Sequence, residues 1–198
     1  MTALDDVRGA AWPEVPPAPV GRGATVWLTG LPSAGKTTLA TALAARLASE
    51  GAPRVELLDG DEVREFLSKG LGFCREDRDT NVLRIGWVAA TLAKHGVLVL
   101  ASVISPFAET RLAVRGLHES KAACFLEVHV ATPVEVCSER DVKGLYAKQA
   151  AGELTGLTGV DAPYEEPVSP DLRVRTHQQT LEESVAEVHA LLAGRGLL

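Results

Sequence analysis

The apolar residues fall in short blocks separated by polar or glycine-rich stretches. Thr25 to Thr29 (T-V-W-L-T) reads as a short buried strand. A glycine-rich turn follows, and Leu39, Leu43 and Leu47 then recur at i+4, the buried stripe of a helix from about Lys36 to Ser49. Val55 to Leu58 is a second strand. A helix opens at Asp61 and stops near Gly70, and the next runs from near Glu76 to Lys94 with Val82, Ile85, Ala89 and Leu92 on its apolar face. Val97 to Ala101 is an unbroken apolar run, which fits a strand covered on both faces. Glu109 to Ser120 is helical and Phe125 to Val130 is a fourth strand. Pro133 starts a short helix, as proline does at a first helical position. Leu172 to Val174 is a short fifth strand. Leu181 to Leu192 closes the chain as a helix, with Val185, Val188 and Leu192 facing inward.

Strands alternate with helices throughout, which predicts an α/β three-layer sandwich with a mostly parallel five-stranded sheet. Ligands of such sheets sit beyond the carboxyl ends of the strands. Residues 1–23 read as an arm, because Pro13, Pro16, Pro17 and Pro19 forbid helix there. Trp12 is its large apolar group, expected to pack on a surface or a partner subunit. Residues 24–198 form one domain.

Composition narrows the class. Of 198 residues, 46% are hydrophobic and 23% charged, and the formal net charge is −6, so the basic footprint of a nucleic-acid binder is missing. Cys74, Cys124 and Cys137 are few, odd in number and far apart, which supports neither a disulfide framework nor a zinc site. No basic-then-apolar leader and no run of about 18 apolar residues occurs, so a cytoplasmic protein without a membrane segment is expected.

The candidate chemistry lies at the strand ends. Gly30-Leu31-Pro32-Ser33-Ala34-Gly35-Lys36-Thr37 fits G-x-x-x-x-G-K-[ST], between a strand and a helix, with Thr38 next in line. The glycines let backbone N–H groups point at phosphate oxygens, and the helix N-terminus adds positive potential. Lys36 is expected on the β- and γ-phosphates of ATP and Thr37 on Mg²⁺. A turn that merely joins strand to helix is the plain alternative. Asp59-Gly60-Asp61 ends the second strand. Asp61 is a carboxylate able to orient an acceptor hydroxyl or take its proton, or else a cap for the next helix. Arg64 follows Asp61 at i+3 on the same face.

Gly70-Leu71-Gly72-Phe73 is a turn ending in an aromatic ring that could stack on a nucleobase. Arg78 and Asn81, again i+3, offer an anion fork and an amide. Ile104-Ser105-Pro106 ends the third strand, and Pro106 is expected to hold Ser105 extended, its backbone and hydroxyl toward the cleft. From Cys137 a long irregular segment begins, punctuated by Gly152, Gly156 and Gly159. It reads as a lid at about 141–166 that brings Arg140, Lys143 and Lys148 onto phosphates. Lys36, Arg64, Arg78, Arg140 and Lys143 would then form a positive cleft within an acidic surface.

These stretches, with Asp77 to Asn81, Arg140 to Tyr146 and Thr158 to Glu165, resemble the adenylylsulfate kinases from Gly23 to the closing helix. The resemblance implies transfer of the γ-phosphoryl of ATP to the ribose 3′-hydroxyl of adenylylsulfate. It implies Mg²⁺, a homodimer, and ATP sulfurylase as a separate partner chain. Asp61 would lie near the acceptor hydroxyl. Arg64, Phe73, Arg78, Asn81 and the backbone of Ile104 and Ser105 would bind adenylylsulfate, with Lys143 and Leu145 of the lid beside both nucleotides. Ser105 matches a serine described in the family as a phosphorylated intermediate. Leu157 stands where a phenylalanine commonly completes an aromatic sandwich on the substrate adenine, a difference worth about 1 kcal/mol of stacking. Two other readings stay open: a P-loop kinase for another anionic nucleotide, and a non-catalytic nucleotide-binding regulatory domain.

Overall fold

The computed structural model describes residues 23–52 and 54–198. The proline-rich arm, with Trp12, lies outside the described residues.

Among the described residues five strands carry the fold: β1 (Ala24–Thr29), β2 (Val55–Asp59), β3 (Leu98–Ser102), β4 (Cys124–Val130) and β5 (Leu172–Val174). Their order is β2-β3-β1-β4-β5 and every pairing is parallel. Among the described residues seven helices connect and cover them: α1 (Lys36–Ser49), α2 (Gly60–Phe66), α3 (Arg75–Lys94), α4 (Ala108–Glu119), α5 (Val134–Arg140), α6 (Leu145–Ala150) and α7 (Leu181–Gly194).

β1 is central and every residue of it is buried. The two-residue period of a strand sorts its side chains into two layers. Ala24, Val26 and Leu28 join the Leu39, Leu43 and Leu47 stripe of α1 and Val185, Val188 and Leu192 of α7. Trp27 faces the other way, into Val82 and Ile85 of α3 and Val114 of α4. Thr25 points to that second layer as well, where His118 Nε2 is 2.8 Å from its hydroxyl. Each fully buried leucine of the α1 stripe contributes about 1.5–3 kcal/mol. The three layers thus follow from the chain's own periodicities.

Three expectations need correction. Pro133 is the N-cap of α5, with ψ 150, and is not its first helical residue. The chain from Cys137 onward is irregular only in part: α5 continues to Arg140 and α6 spans Leu145–Ala150, while 151–171 carries no helix or strand. Helix α6 forms because the Asp141 carboxylate accepts from the N–H groups of Tyr146 and Ala147, while Gly144 turns into the left-handed region before it. Ser105 is not extended. Its φ is +42, a conformation that costs a non-glycine residue on the order of 1–3 kcal/mol.

Candidate active site

The strand order places β1 between β3 and β4, and the loop that leaves β1 opens at the carboxyl edge of the sheet. Gly30 has φ +155, and a Cβ there would lie 2.6 Å from the Val130 carbonyl, so only glycine lets the loop start this close to β4. Gly35 (φ +102) turns the chain into α1, whose first turn contains no acidic residue. The helix N-terminus therefore keeps its positive potential for an anion.

The loop is tied from behind at one atom. The Ala34 carbonyl accepts from Thr132 Oγ1 at 3.0 Å, Thr176 Oγ1 at 2.9 Å and Arg140 Nη1 at 3.3 Å. Arg140 also donates to the Thr176 carbonyl at 2.9 Å, so β4, α5 and the exit of β5 all brace the loop. Thr132 and Thr176 escape a reading of the sequence. Their only signal is that each follows closely on the end of a strand.

Lys36 is buried, and its ammonium donates to the carbonyls of Gly30 (3.0 Å) and Leu31 (2.7 Å). Burial lowers its pKa from 10.5 to about 8. Thr37 Oγ1 donates to Asp59 Oδ2 at 2.7 Å. The other oxygen of Asp59 accepts from the Asp61 N–H at 2.9 Å, so Asp59 is the N-cap of α2. That removes the capping alternative for Asp61, which lies within the first turn of α2. The Asp61 carboxylate instead forms an ion pair with Lys143, both side chains being largely exposed.

The opposite side of the site is built from the α2–α3 turn. Arg64 Nη1 donates to the carbonyls of Leu71 (3.2 Å) and Gly72 (2.9 Å), and its guanidinium lies 4.5 Å from the Phe73 ring centre. Phe73 remains 65% exposed, which leaves ring surface for a ligand. Arg78 spans the cleft floor: Nε donates to the Phe73 carbonyl, Nη1 to Thr158 Oγ1 and Nη2 to the Gly156 carbonyl, each at 2.6 Å. Asn81 is buried, and among the described residues its Oδ1 has no partner. Ser102, next to Asp59 in the sheet register, likewise has an unpartnered buried hydroxyl. Such orphaned atoms are costly away from a ligand.

One cleft of about 520 Å³ gathers these groups. Lys36, Arg64, Arg78, Arg140 and Lys143 all line it, as do Pro32, Ser33, Gly35, Thr37, Thr38, Asp61, Phe73, Asn81, Ile104, Ser105 and Leu145. Gly30, Leu31 and Ala34 stand behind the wall; the Leu31 side chain packs against Gly159 instead. Asp59, Thr176 and Gln179 line it without having been singled out. Three expected residues sit differently, the first being Lys148, which is exposed on α6 and is not part of the cleft wall. Leu157 is 5% exposed within the main core and is not part of the cleft wall. The Ser105 hydroxyl accepts from Trp27 Nε1 at 3.0 Å and donates to Thr29 Oγ1 at 3.0 Å, so it is committed to the interior.

A parallel sheet with a glycine-rich loop, a buried lysine at a helix N-terminus, a facing carboxylate and a set of arginines defines a P-loop phosphotransferase. The chain belongs to the adenylylsulphate kinase family, whose profile matches residues 22–175. It is 56% identical over 170 residues to the adenylyl-sulfate kinase of Chloroflexus aurantiacus, covering 86% of this chain and 89% of that one. It is 53% identical over 177 residues to that of Microcystis aeruginosa, covering 89% and 95%. Its fold superposes with a TM-score of 0.84 on the Mycobacterium tuberculosis APS kinase in complex with AMPPNP and APS. That match has 43% identity and covers 87% of this chain and 99% of that one.

Proposed function

We propose that the protein moves the γ-phosphoryl group of ATP to the ribose 3′-hydroxyl of adenylylsulfate, giving 3′-phosphoadenylylsulfate and ADP. The observation that carries this reading is the Asp61 carboxylate, which does not cap its helix and shares one cleft with the phosphate loop.

ATP phosphates lie on the loop N–H groups and the N-terminus of α1. Lys36 leaves the carbonyls of Gly30 and Leu31 for phosphate oxygens and stabilises charge as the bond to the leaving ADP breaks. Asp61 holds the acceptor hydroxyl in line and takes its proton as the new P–O bond forms. Arg64, Arg78 and Lys143 surround the anionic acceptor, and Phe73 offers its ring to the adenine. Ser105 acts through position rather than as a phosphorylated intermediate, because its hydroxyl is tied to Trp27 and Thr29.

The residues present fit Mg²⁺. Thr37 and Asp59 offer hard oxygen donors side by side at the phosphate loop, and they would hold the ion. Among the described residues no group of three or more His, Cys, Asp and Glu gathers. Such a site depends on substrate phosphates and water, which is how Mg²⁺ is usually held. When bound, the ion neutralises charge on the β- and γ-phosphates.

The segment 141–166 acts as the lid of this cleft. A homodimer and a functional partnership with ATP sulfurylase belong to the same reading. Among the described residues no helix is long and apolar enough to cross a membrane, and the reading places the enzyme beside the ATP pool of the cytoplasm. Incubation with ATP, Mg²⁺ and a panel of acceptors tests it. ADP and 3′-phosphoadenylylsulfate should form with adenylylsulfate alone. Comparable turnover of another anionic nucleotide, or none at all, would reject it.

A further inference from the structure

Behind the acceptor wall lies a buried cation that the reaction as described does not use. Arg111, in α4, is 3% exposed. Its Nε pairs with Glu127 Oε1 at 2.8 Å, which leaves both ends of the guanidinium fork free to reach elsewhere. Nη1 donates to the Ser105 carbonyl at 2.7 Å, and Nη2 donates to the Glu165 carbonyl at 2.7 Å. One carbonyl belongs to the strained turn that lines the cleft. The other belongs to the segment that ends the lid.

The same two pieces of chain are joined at two further points, and a third bond ties the lid end to β1. The Glu165 N–H donates to the Pro106 carbonyl at 2.8 Å, and the Ala108 N–H donates to Glu165 Oε2 at 2.7 Å. Tyr164 Oη lies 3.0 Å from Thr29 Oγ1. The direction of that last bond follows from an inventory. Thr29 has one hydroxyl proton, and it goes to the Ile104 carbonyl at 2.7 Å. Thr29 therefore accepts from both Ser105 and Tyr164, and Tyr164 is the donor. A single directional chain, Trp27 to Ser105 to Thr29 to Ile104, fixes the turn from inside, and Arg111 clamps it from the far side.

We propose that Arg111 is a positioning residue for the acceptor nucleotide: it holds the Ile104–Pro106 wall in its left-handed turn and locks that wall to the end of the lid at Tyr164 and Glu165. This rests on the function proposed above. Arg111 bonds Glu127, Ser105 and Glu165 and none of the phosphate loop, whose braces come from Thr132, Arg140 and Thr176. Its loss therefore acts on the acceptor and leaves ATP binding alone. Charge alone does not suffice, because a lysine can pair with Glu127 but cannot fork to two carbonyls.

The test is steady-state kinetics of Arg111→Lys and Tyr164→Phe in the full chain, with thermal melting of each. Tyr164→Phe keeps the ring and removes only the donor to Thr29. Arg111→Lys should raise the KM for adenylylsulfate at least tenfold with the KM for ATP within twofold. Tyr164→Phe should raise the former about threefold, and it carries the test alone if Arg111→Lys does not fold. A folded variant with unchanged KM for adenylylsulfate overturns the proposal, and so does an equal rise for both nucleotides. Wild-type protein that fails to phosphorylate adenylylsulfate ends the functional reading instead, so the two failures are distinct.

Discussion

The Thr37 hydroxyl donates to the Asp59 carboxylate at 2.7 Å, and the other oxygen of that carboxylate caps α2 through the Asp61 N–H at 2.9 Å. One side chain thus registers the phosphate loop against the helix that carries the acceptor carboxylate. It also explains why two aspartates flank Gly60. The first holds the geometry and would hold the metal, and the second, released from capping, pairs with Lys143 and is the carboxylate proposed for the chemistry. A Cβ on Gly60 would come within 3.1 Å of the Ser102 carbonyl, so the residue between them must be small.

Asp59→Asn keeps one oxygen for the cap, turns an amide N–H2 donor toward the Thr37 hydroxyl, which can accept, and removes the charge. Mg²⁺ affinity should fall about 10–100-fold, the range seen when a ligand environment is disturbed. Binding of metal-free ATP and the melting temperature should stay close to wild type. Titration with Mn²⁺ read by electron paramagnetic resonance, beside the Mg²⁺ dependence of turnover, checks both. Unchanged metal affinity would remove Asp59 from the site.

Asp61→Asn should lower turnover by about 100-fold or more while ATP binding is retained. The fold should not notice, because Asp59 supplies the cap and the Asp61–Lys143 pair is largely exposed, a class of ion pair worth about 0–1 kcal/mol. Melting curves and single-turnover kinetics separate the two effects. A large drop in melting temperature with normal turnover would make Asp61 a structural residue.

Lys36 sets a pH dependence. Its pKa is lowered by burial to about 8, whereas the unfolded chain keeps about 10.5. Between these values the unfolded state binds more protons, so this group makes stability rise with pH from 8 to 10.5. Nucleotide binding has the opposite sign, since phosphates favour the ammonium. Above pH 8 ATP binding must take up a proton, and affinity should fall by up to about tenfold per pH unit. Calorimetry at pH 7 and pH 9 in buffers of different ionisation enthalpy measures that uptake. It should be near zero at the lower pH and approach one proton at the higher. No difference between the two would mean that Lys36 stays charged throughout.

The legible parts of this protein are those with local signals. The phosphate loop is a contiguous pattern whose glycines and lysine are dictated by the turn they make. The split of β1 into two layers follows from period-2 alternation, as the placement of Leu28 and Trp27 shows. What stayed hidden is long-range. Thr29 and Tyr164 are 135 residues apart, and Ala34 and Thr176 are 142 apart. No spacing rule connects such pairs. Ser105 shows a local rule overridden. Its proline neighbour disfavours the helical region and favours extended backbone, yet hydrogen bonds from Trp27 and Arg111 hold it at φ +42. Helix α6 is hidden because its six residues are too few for periodicity to speak, and the Asp141 carboxylate that takes its first N–H groups lies ahead of its Gly144 N-cap.

Leu157 is where the resemblance to the family and the structure part. Stacking on the substrate adenine would require its side chain to face the cleft, and replacing it with phenylalanine should then tighten adenylylsulfate binding. In the structure the side chain belongs to the main core, with Ala34 and Tyr146. Its backbone has little freedom to turn outward. The Leu157 carbonyl accepts from the N–H groups of Val160 (3.0 Å), Asp161 (3.2 Å) and Ala162 (3.1 Å), and its own N–H donates to Asp161 Oδ1. Leu157→Phe should therefore overpack the core, at about 1–3 kcal/mol. In a domain of this size that lowers the melting temperature by roughly 2–4 °C for each kcal/mol. Adenylylsulfate should bind no tighter, and both nucleotides should weaken together as the lid loosens. Calorimetric dissociation constants for both nucleotides, with melting curves, decide the matter. Tenfold tighter adenylylsulfate binding with an unchanged melting temperature would show that residue 157 leaves the core to cover the adenine.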